Sequence, residues 1–146
     1  MSTRSPNEPT TAHTPLSEKG VAVRRALLGD AVYDATQRNM TGLDREWQTY
    51  VTNQVFGRTW GRGIIGQQQL SLINLAMLAG LQRMEEFELH LRIAVNTTKV
   101  PLIQLREIIL HISMYCGVPI GRDCFAIARK VFAEEGVDLS ELDDQP

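Results

Sequence analysis

An apolar run, LSLINLAMLAGL at residues 70–81, contains no charged side chain. It is shorter than the roughly 20 apolar residues that a membrane-spanning helix requires. Its apolar side chains extend nearly all the way round a helix, and a helix without a polar face is buried on all sides. The run therefore predicts a fully buried helix over residues 67–80 of a helical protein.

The sequence on either side of this run also has a helical period, and the alternation typical of β-strands is absent. Ser17 and Asp30 predict the starts of two helices that end near Gly29 and Arg38. A third helix is predicted to begin at Asp44, and further helices are predicted over residues 84–95, 101–117 and 119–136. The sequence therefore predicts an all-α bundle of about six to seven helices.

Three of these helices have an apolar stripe that we expect to face the core. The stripes comprise Trp47, Tyr50, Val51 and Val55 in the third helix; Phe87, Leu91, Ala94 and Val95 in the helix over 84–95; and Leu105, Ile108, Ile109, Ile112 and Cys116 in the helix over 101–117. Cys124 is predicted to face inward from the last helix.

A chain of 146 residues corresponds to one domain with a sizeable core. Residues 1–16 contain three prolines and little to bury, which predicts a disordered N-terminal arm. Residues 137–146 are acidic and predict a solvated tail. The helical domain is accordingly predicted over residues 17–136.

Composition and charge narrow the class of function. Fifteen basic and 17 acidic groups give a net charge of −2, whereas nucleic-acid binders usually carry a basic surplus. Two cysteines are too few for a disulfide scaffold, and the first ten residues lack the apolar core of a signal peptide. We therefore expect a cytoplasmic protein that binds neither nucleic acid nor a membrane.

No pattern of metal ligands is present in the sequence. The histidines are His13, His90 and His111. The sequence contains no CxxC motif and no HExxH motif. A zinc site needs three or four such ligands at suitable spacing. No metal and no organic cofactor is expected.

A glycine-rich loop, GRTWGRG at residues 57–63, places two arginines near Trp60. No Lys-Ser or Lys-Thr pair follows it, so a phosphate-binding loop is disfavoured. Arg62 or Arg58 has the planar fork that binds a carboxylate through two hydrogen bonds. The alternative is a solvated loop arginine.

The later helices contain candidates for acid–base or nucleophilic chemistry. His90 lies at the rim of an apolar stripe, and it is either a proton donor facing a pocket or a histidine satisfied at a helix interface. Glu107, His111 and Tyr115 share one helical face, either as part of a polar pocket or as an exposed stabilising pair. Cys116 ends its helix, where a nearby negative charge is disfavoured, so a small core side chain is the alternative to a nucleophile.

Three segments together resemble one family: GVAVRRALLGD at 20–30, ELHLRIAVN at 88–96 and REIILHISMYCGVP at 106–119, with the apolar run between the first two. Their order and spacing are similar to those of the carboxymuconolactone decarboxylase family, which shares an all-helical fold with the alkylhydroperoxidase proteins. The resemblance covers residues 20–135. It implies a homo-oligomer, a trimer or hexamer, that decarboxylates a small acidic lactone or related carbonyl acid in aromatic-compound catabolism without a cofactor.

The resemblance also suggests roles for the candidate residues. His90 is expected to donate a hydrogen bond or a proton, Glu107 to orient it or relay the proton, and an arginine to bind a second carboxylate. The substrate-binding candidates are Arg24, Arg25, Trp60, Arg62, His111, Tyr115 and Cys116.

The sequence departs from the family pattern at three points. Gln67, Gln68 and Gln69 stand where many members are rich in arginine, and no histidine follows the YCGVP turn. The CxxC of the peroxidase branch is missing, so a disulfide relay lacks its second thiol. The alternatives are a non-decarboxylating relative that binds or isomerises its ligand and, less favoured, a thiol peroxidase.

Overall fold

The structure is a computed structural model of the 146-residue chain that describes residues 13–145. Most of the N-terminal arm predicted over 1–16 therefore lies outside the described residues. The α-helices are α1 (Glu18–Leu28), α2 (Asp30–Asn39), α3 (Arg45–Tyr50), α4 (Gln67–Gly80), α5 (Met84–Asn96), α6 (Leu102–Tyr115) and α7 (Val118–Glu134). Residues 13–145 contain seven α-helices and no strand, which confirms the all-α class.

Three shorter helical segments complete the secondary structure of the described residues. A π-helix, Val51–Gly57, continues α3, and 3-10 turns occur at Trp60–Arg62 and Ser140–Leu142. None of the helices between residues 13 and 145 is long and apolar enough to cross a bilayer. The chain divides into two compact units, the first ending at Arg62 and the second beginning at Gly63. These are unit 1 and unit 2, in chain order.

In unit 1, α1 and the π-helix approach each other backbone to backbone. A Cβ atom at Gly20 would lie 2.4 Å from the carbonyl oxygen of Thr52, and one at Gly57 would lie 3.3 Å from the Cα of Gly20. The Ser17 side chain caps α1 by accepting the Gly20 N–H at 3.1 Å, as the sequence predicts. Two glycines therefore set the distance between these helices.

The predicted inward face of the third helix is wrong. Trp47 is 62% exposed and Tyr50 is 65% exposed, whereas Thr49 and Thr52 are buried. The reason is the buried Arg24, which needs hydrogen-bond acceptors and turns the polar face of this helix inward. The apolar stripe that the sequence shows is real, but it faces outward.

Unit 2 has its core between α4, α5, α6 and α7. The buried residues include Leu75, Phe87, Leu91, Ala94, Leu105, Ile109, Ile112, Cys124 and Val131. The predicted inward faces of α5 and α6 and the predicted burial of Cys124 are thus confirmed. Cys116 is exposed rather than part of the α6 stripe, because α6 ends at Tyr115.

The prediction that the apolar run is buried on all sides is wrong. Ser71, Leu75 and Ala79 form its buried face, but Met77 is 52% exposed and Leu81 is 71% exposed. The reason is that α5, α6 and α7 pack against one side of α4 only, within unit 2. An apolar surface on the other side of α4 has no partner in this unit.

The chain reverses direction after α7. Gly136 has a φ of +66°, which glycine adopts without strain, and the Val137 N–H donates to the Phe132 carbonyl at 2.9 Å. Val137 and Leu142 then pack against the core of unit 2, while the acidic side chains of this segment are exposed.

Candidate active site

A groove between α4 and α6 contains two of the candidate residues, Glu107 and His111. The two lie four residues apart, so they project from the same face of α6. The groove has a volume of about 370 Å³ and is lined by Leu72, Gln104, Glu107, Ile108 and His111. It thus combines a carboxylate, an imidazole and an amide with two aliphatic walls.

Tyr115 extends this polar face by one more helical turn. Its ring centroid is 4.5 Å from that of His111, with the ring planes tilted by 31°. Both side chains are exposed, so the imidazole contacts the phenol on one side and the groove on another. The predicted common face of Glu107, His111 and Tyr115 is present in the structure.

The Glu107 carboxylate also has a cationic neighbour. The Arg106 Nε donates to Glu107 Oε1 at 2.9 Å, and Nη2 of the same guanidinium is 2.8 Å from that oxygen. The side chain of Arg106 is 21% exposed and that of Glu107 is 55% exposed. Glu107 therefore enters the groove with one oxygen engaged by an ion pair.

His90 occupies a different place, on α5. Its Nδ1 atom is buried and has no hydrogen-bond partner among residues 13–145. Burial lowers the pKa of this imidazole, and the nearby Glu86 carboxylate partly opposes that effect. The ring is therefore neutral at pH 7, and His90 is not among the residues that line the α4–α6 groove.

Arg24, in unit 1, is buried among neutral groups. Its Nη1 donates to Thr52 Oγ1 at 2.9 Å and its Nη2 donates to Gln48 Oε1 at 2.8 Å. The guanidinium lies over the rings of Tyr33 and Phe56, at 5.9 and 5.4 Å from their centroids. Burial lowers the pKa of Arg24. Its side chain holds Thr52 and Gln48 in the interior of unit 1 through these hydrogen bonds.

Arg25 is engaged by carboxylates of α2. Its Nη1 is 2.8 Å from Asp30 and its Nη2 is 2.7 Å from Asp34, and these contacts raise its pKa. A substrate carboxylate would have to compete with two carboxylates that are already in place.

The glycine-rich loop is partly helical. Trp60 begins the 3-10 turn and is 6% exposed, while Arg62 is exposed at the end of unit 1. Buried Trp60 offers little surface to a ligand, whereas the Arg62 guanidinium is accessible.

The two cysteines are unlike each other. Cys116 is exposed, and Cys124 is fully buried, which raises the pKa of its thiol to about 11. They form no disulfide. Within residues 13–145 no group of three or more His, Cys, Asp or Glu side chains is arranged to hold a metal.

Sequence reasoning missed three residues of the groove, Leu72, Gln104 and Ile108, the last of which was predicted only as part of a core-facing stripe. Gln104 precedes Glu107 by three residues and so shares its face, a signal that was present in the sequence. Leu72 is contributed by α4, and the sequence of one helix carries no signal for the residues of another that lie opposite it.

Comparison with known proteins places these features in context. Residues 45–130 match the carboxymuconolactone decarboxylase family. The chain is 29% identical to 4-carboxymuconolactone decarboxylase of Acinetobacter baylyi over 120 residues, which cover 82% of this chain and 89% of that protein. It is 31% identical to nitrosuccinic acid decarboxylase of Metarhizium robertsii over 129 residues, which cover 88% of this chain and 89% of that protein.

Proposed function

The chain belongs to the carboxymuconolactone decarboxylase family of carboxy-lyases, and we propose that it decarboxylates a small acidic lactone or related carbonyl acid in the α4–α6 groove. The observation that carries this proposal is the placement of Glu107 and His111 one helical turn apart on the wall of a groove of about 370 Å³. Breakdown of aromatic compounds, where such lactones arise, is the proposed setting.

The proposed reaction breaks the bond between a carbon atom and its carboxylate. Carbon dioxide leaves, the electron pair moves onto a neighbouring carbonyl oxygen to give an enolate, and a proton is then delivered to carbon. A hydrogen-bond donor near that oxygen stabilises the developing charge, and a positioned acid supplies the proton. Both tasks suit an imidazole near neutral pH.

His111 is the groove's proton donor in this proposal. Glu107, on the same face of α6, orients the imidazole. Gln104 offers an amide N–H to a substrate oxygen, and Leu72 and Ile108 supply apolar walls that disfavour a carboxylate relative to neutral carbon dioxide. The role predicted for His90 stays a prediction, and it is tested against that of His111.

A nitro-substituted acid is the second candidate substrate. The name of the Metarhizium relative describes a dicarboxylic acid with a nitro group, which can accept the released electron pair as a carbonyl does. Gln67, Gln68 and Gln69, where many family members are rich in arginine, favour a substrate other than that of the Acinetobacter relative.

Matched variants at the histidines test the proposal. Purified protein is assayed with 4-carboxymuconolactone and with nitrosuccinic acid, and release of carbon dioxide is measured. His111→Gln and Glu107→Gln are each expected to lower kcat by about 10²-fold, the usual contribution of a positioned acid or its partner. His13→Gln, an exposed histidine of unit 1, is the control and should be fully active.

The outcome at His90 decides between the two histidines. If His90→Gln loses about 10²-fold while His111→Gln is active, the proton donor lies on α5 and the groove assignment is wrong. If wild-type protein releases no carbon dioxide from either acid but binds one of them, the non-decarboxylating alternative is favoured. A thiol peroxidase remains the least favoured alternative, because Cys124 is buried and no second thiol accompanies Cys116 in a CxxC motif.

A further inference from the structure

A second cavity lies in unit 2, on the other side of α6, between α6, α7 and the segment that follows Gly136. Its volume is about 190 Å³. Its walls are almost wholly apolar, and they include Phe125, Phe132, Ala128, Leu139 and Leu142. The turn at Gly136 brings the last two of these back against α7.

Two guanidinium groups border this apolar space, those of Arg106 and Arg129. Arg129 is exposed, and within the described part of the chain it has no carboxylate or other hydrogen-bond partner. Asp138, which precedes Leu139 in the chain, has a carboxylate that accepts the Ser140 N–H at 2.9 Å, so it is engaged by its own turn. The cavity therefore has an apolar interior and a cationic edge.

We propose that the α6–α7 cavity binds a small monocyclic carboxylate, with the ring between Phe125 and Phe132 and the carboxylate on Arg129. An apolar cavity of about 150 Å³ accommodates one benzene ring, so 190 Å³ accommodates a ring with one substituent. The aromatic walls favour a planar ring, and a guanidinium favours a carboxylate through paired hydrogen bonds.

Arg106 connects this cavity to the α4–α6 groove. It lines the α6–α7 cavity while its guanidinium pairs with Glu107, which lines the groove. A carboxylate bound on Arg129 adds a negative charge to the cavity that Arg106 also borders, so it weakens the attraction between Arg106 and Glu107. This coupling rests on the proposed function, whereas binding of the carboxylate does not.

Calorimetric titration of the full chain with benzoate tests the site without any measurement of turnover. We expect one benzoate per chain with a Kd on the order of 0.1–1 mM, as for an efficient ligand of this size. Benzamide has the ring without the charge and acetate has the charge without the ring, and each should bind at least tenfold more weakly.

Variants locate the bound benzoate. Arg129→Gln should weaken binding by about tenfold, since it removes the charge-assisted partner, and Arg122→Gln on the same helix should have no effect. Ala128→Leu fills the cavity and should abolish binding. The unfolding temperature of Ala128→Leu without ligand shows whether this variant is folded. If Ala128→Leu does not fold, Arg129→Gln provides the test.

Glu107→Gln tests the competition for Arg106. Removing the Glu107 carboxylate removes one competing negative charge beside Arg106, so benzoate should bind about two- to fivefold more tightly, the range expected from one exposed ion pair. His111→Gln should leave benzoate binding unchanged. The proposal is overturned if benzamide binds as tightly as benzoate, if Arg129→Gln has no effect, or if His111→Gln rather than Ala128→Leu removes binding.

Discussion

The guanidinium of Arg106 and the carboxylate of Glu107 lie 2.8 Å apart, although consecutive side chains of a helix diverge by about 100°. The long Arg106 side chain bends toward its neighbour, so one ion pair lies between the groove on one side of α6 and the cavity on the other. The pair engages one oxygen of the carboxylate that lines the groove together with His111.

We therefore predict that Arg106→Gln has a small effect on decarboxylation. The ion pair is partly exposed and contributes at most about 1 kcal/mol, so kcat/KM should change by less than about fivefold. Glu107→Gln, by contrast, should cost about 10²-fold. Steady-state kinetics of both variants and of the double variant measure the difference, and a loss in Arg106→Gln as large as that in Glu107→Gln would show that Arg106 itself contacts the substrate.

The pKa of His90 predicts how stability depends on pH. Burial lowers this pKa below its usual value of 6.5, so below about pH 6.5 the unfolded chain takes up a proton that the folded chain does not. The free energy of unfolding should therefore fall as the pH decreases through this window. The pKa of Glu86 is also lowered in the folded chain. Its contribution to the free energy of unfolding is lost only as the pH falls through that lowered pKa, which is at more acidic pH than the His90 effect.

Urea unfolding at pH 7.5 and pH 5.5 measures this effect. His90→Gln removes the titration, so its loss of stability between the two pH values should be smaller than that of wild-type protein. His13→Gln, in an exposed position, should behave like wild type. An identical pH dependence in wild type and His90→Gln would contradict the lowered pKa.

The close packing of α1 on the π-helix gives a prediction about Gly20. A methyl group there would lie 2.4 Å from the Thr52 carbonyl oxygen, a backbone atom that cannot rotate away. Gly20→Ala should lower the free energy of unfolding by about 2–3 kcal/mol. Gly42→Ala, where no atom lies within 4 Å of the added carbon, is the control and should be nearly neutral; equal effects would contradict this packing.

The two cysteines should be dispensable for turnover but differ in their effect on stability. Cys124 is fully buried, so Cys124→Ser places a hydroxyl in an apolar core and should cost about 1–3 kcal/mol. Cys116→Ser changes an exposed side chain and should be neutral. Turnover per folded molecule should be that of wild type for both. A thousandfold loss in folded Cys116→Ser would indicate nucleophilic chemistry.

The sequence predicted most of the helix boundaries because the signals for them are local. Ser17 and Gly29 bound α1, Gly117 precedes α7, and Gly136 follows it, each acting on its own backbone. The inward faces of α5 and α6 were also predictable, since a 3.6-residue period repeats over three turns or more.

The features that the sequence could not predict arise where two helices pack against each other. The buried Arg24 turns Gln48 and Thr52 inward, and no pattern in the third helix signals that a polar partner lies opposite. The α4–α6 groove similarly requires Leu72 of one helix to face Ile108 of another. His90 and His111 look alike as sequence candidates, and their different surroundings are known only from the packing.

The apolar side chains that unit 2 leaves exposed predict self-association. Ile73 and Met77 of α4 and Leu81, the residue that caps its C-terminal end, recur every four residues along one face and are 42%, 52% and 71% exposed. A continuous apolar face on a monomer of this size is typical of an interface between subunits. The exposed face predicts association, and the family resemblance implies a trimer or hexamer, so we expect light scattering at micromolar concentration to give three or six times the 16.4 kDa mass of the chain. Met77→Asp, which places a charge at the centre of this face, should shift the particle toward the monomer, because an unpaired charge is costly to bury. Gln67→Asp adds the same charge at an exposed polar position of α4 and should not change the mass. A stable 16.4 kDa particle for the wild-type chain would contradict the assembly, and the exposed face of α4 would then need another partner.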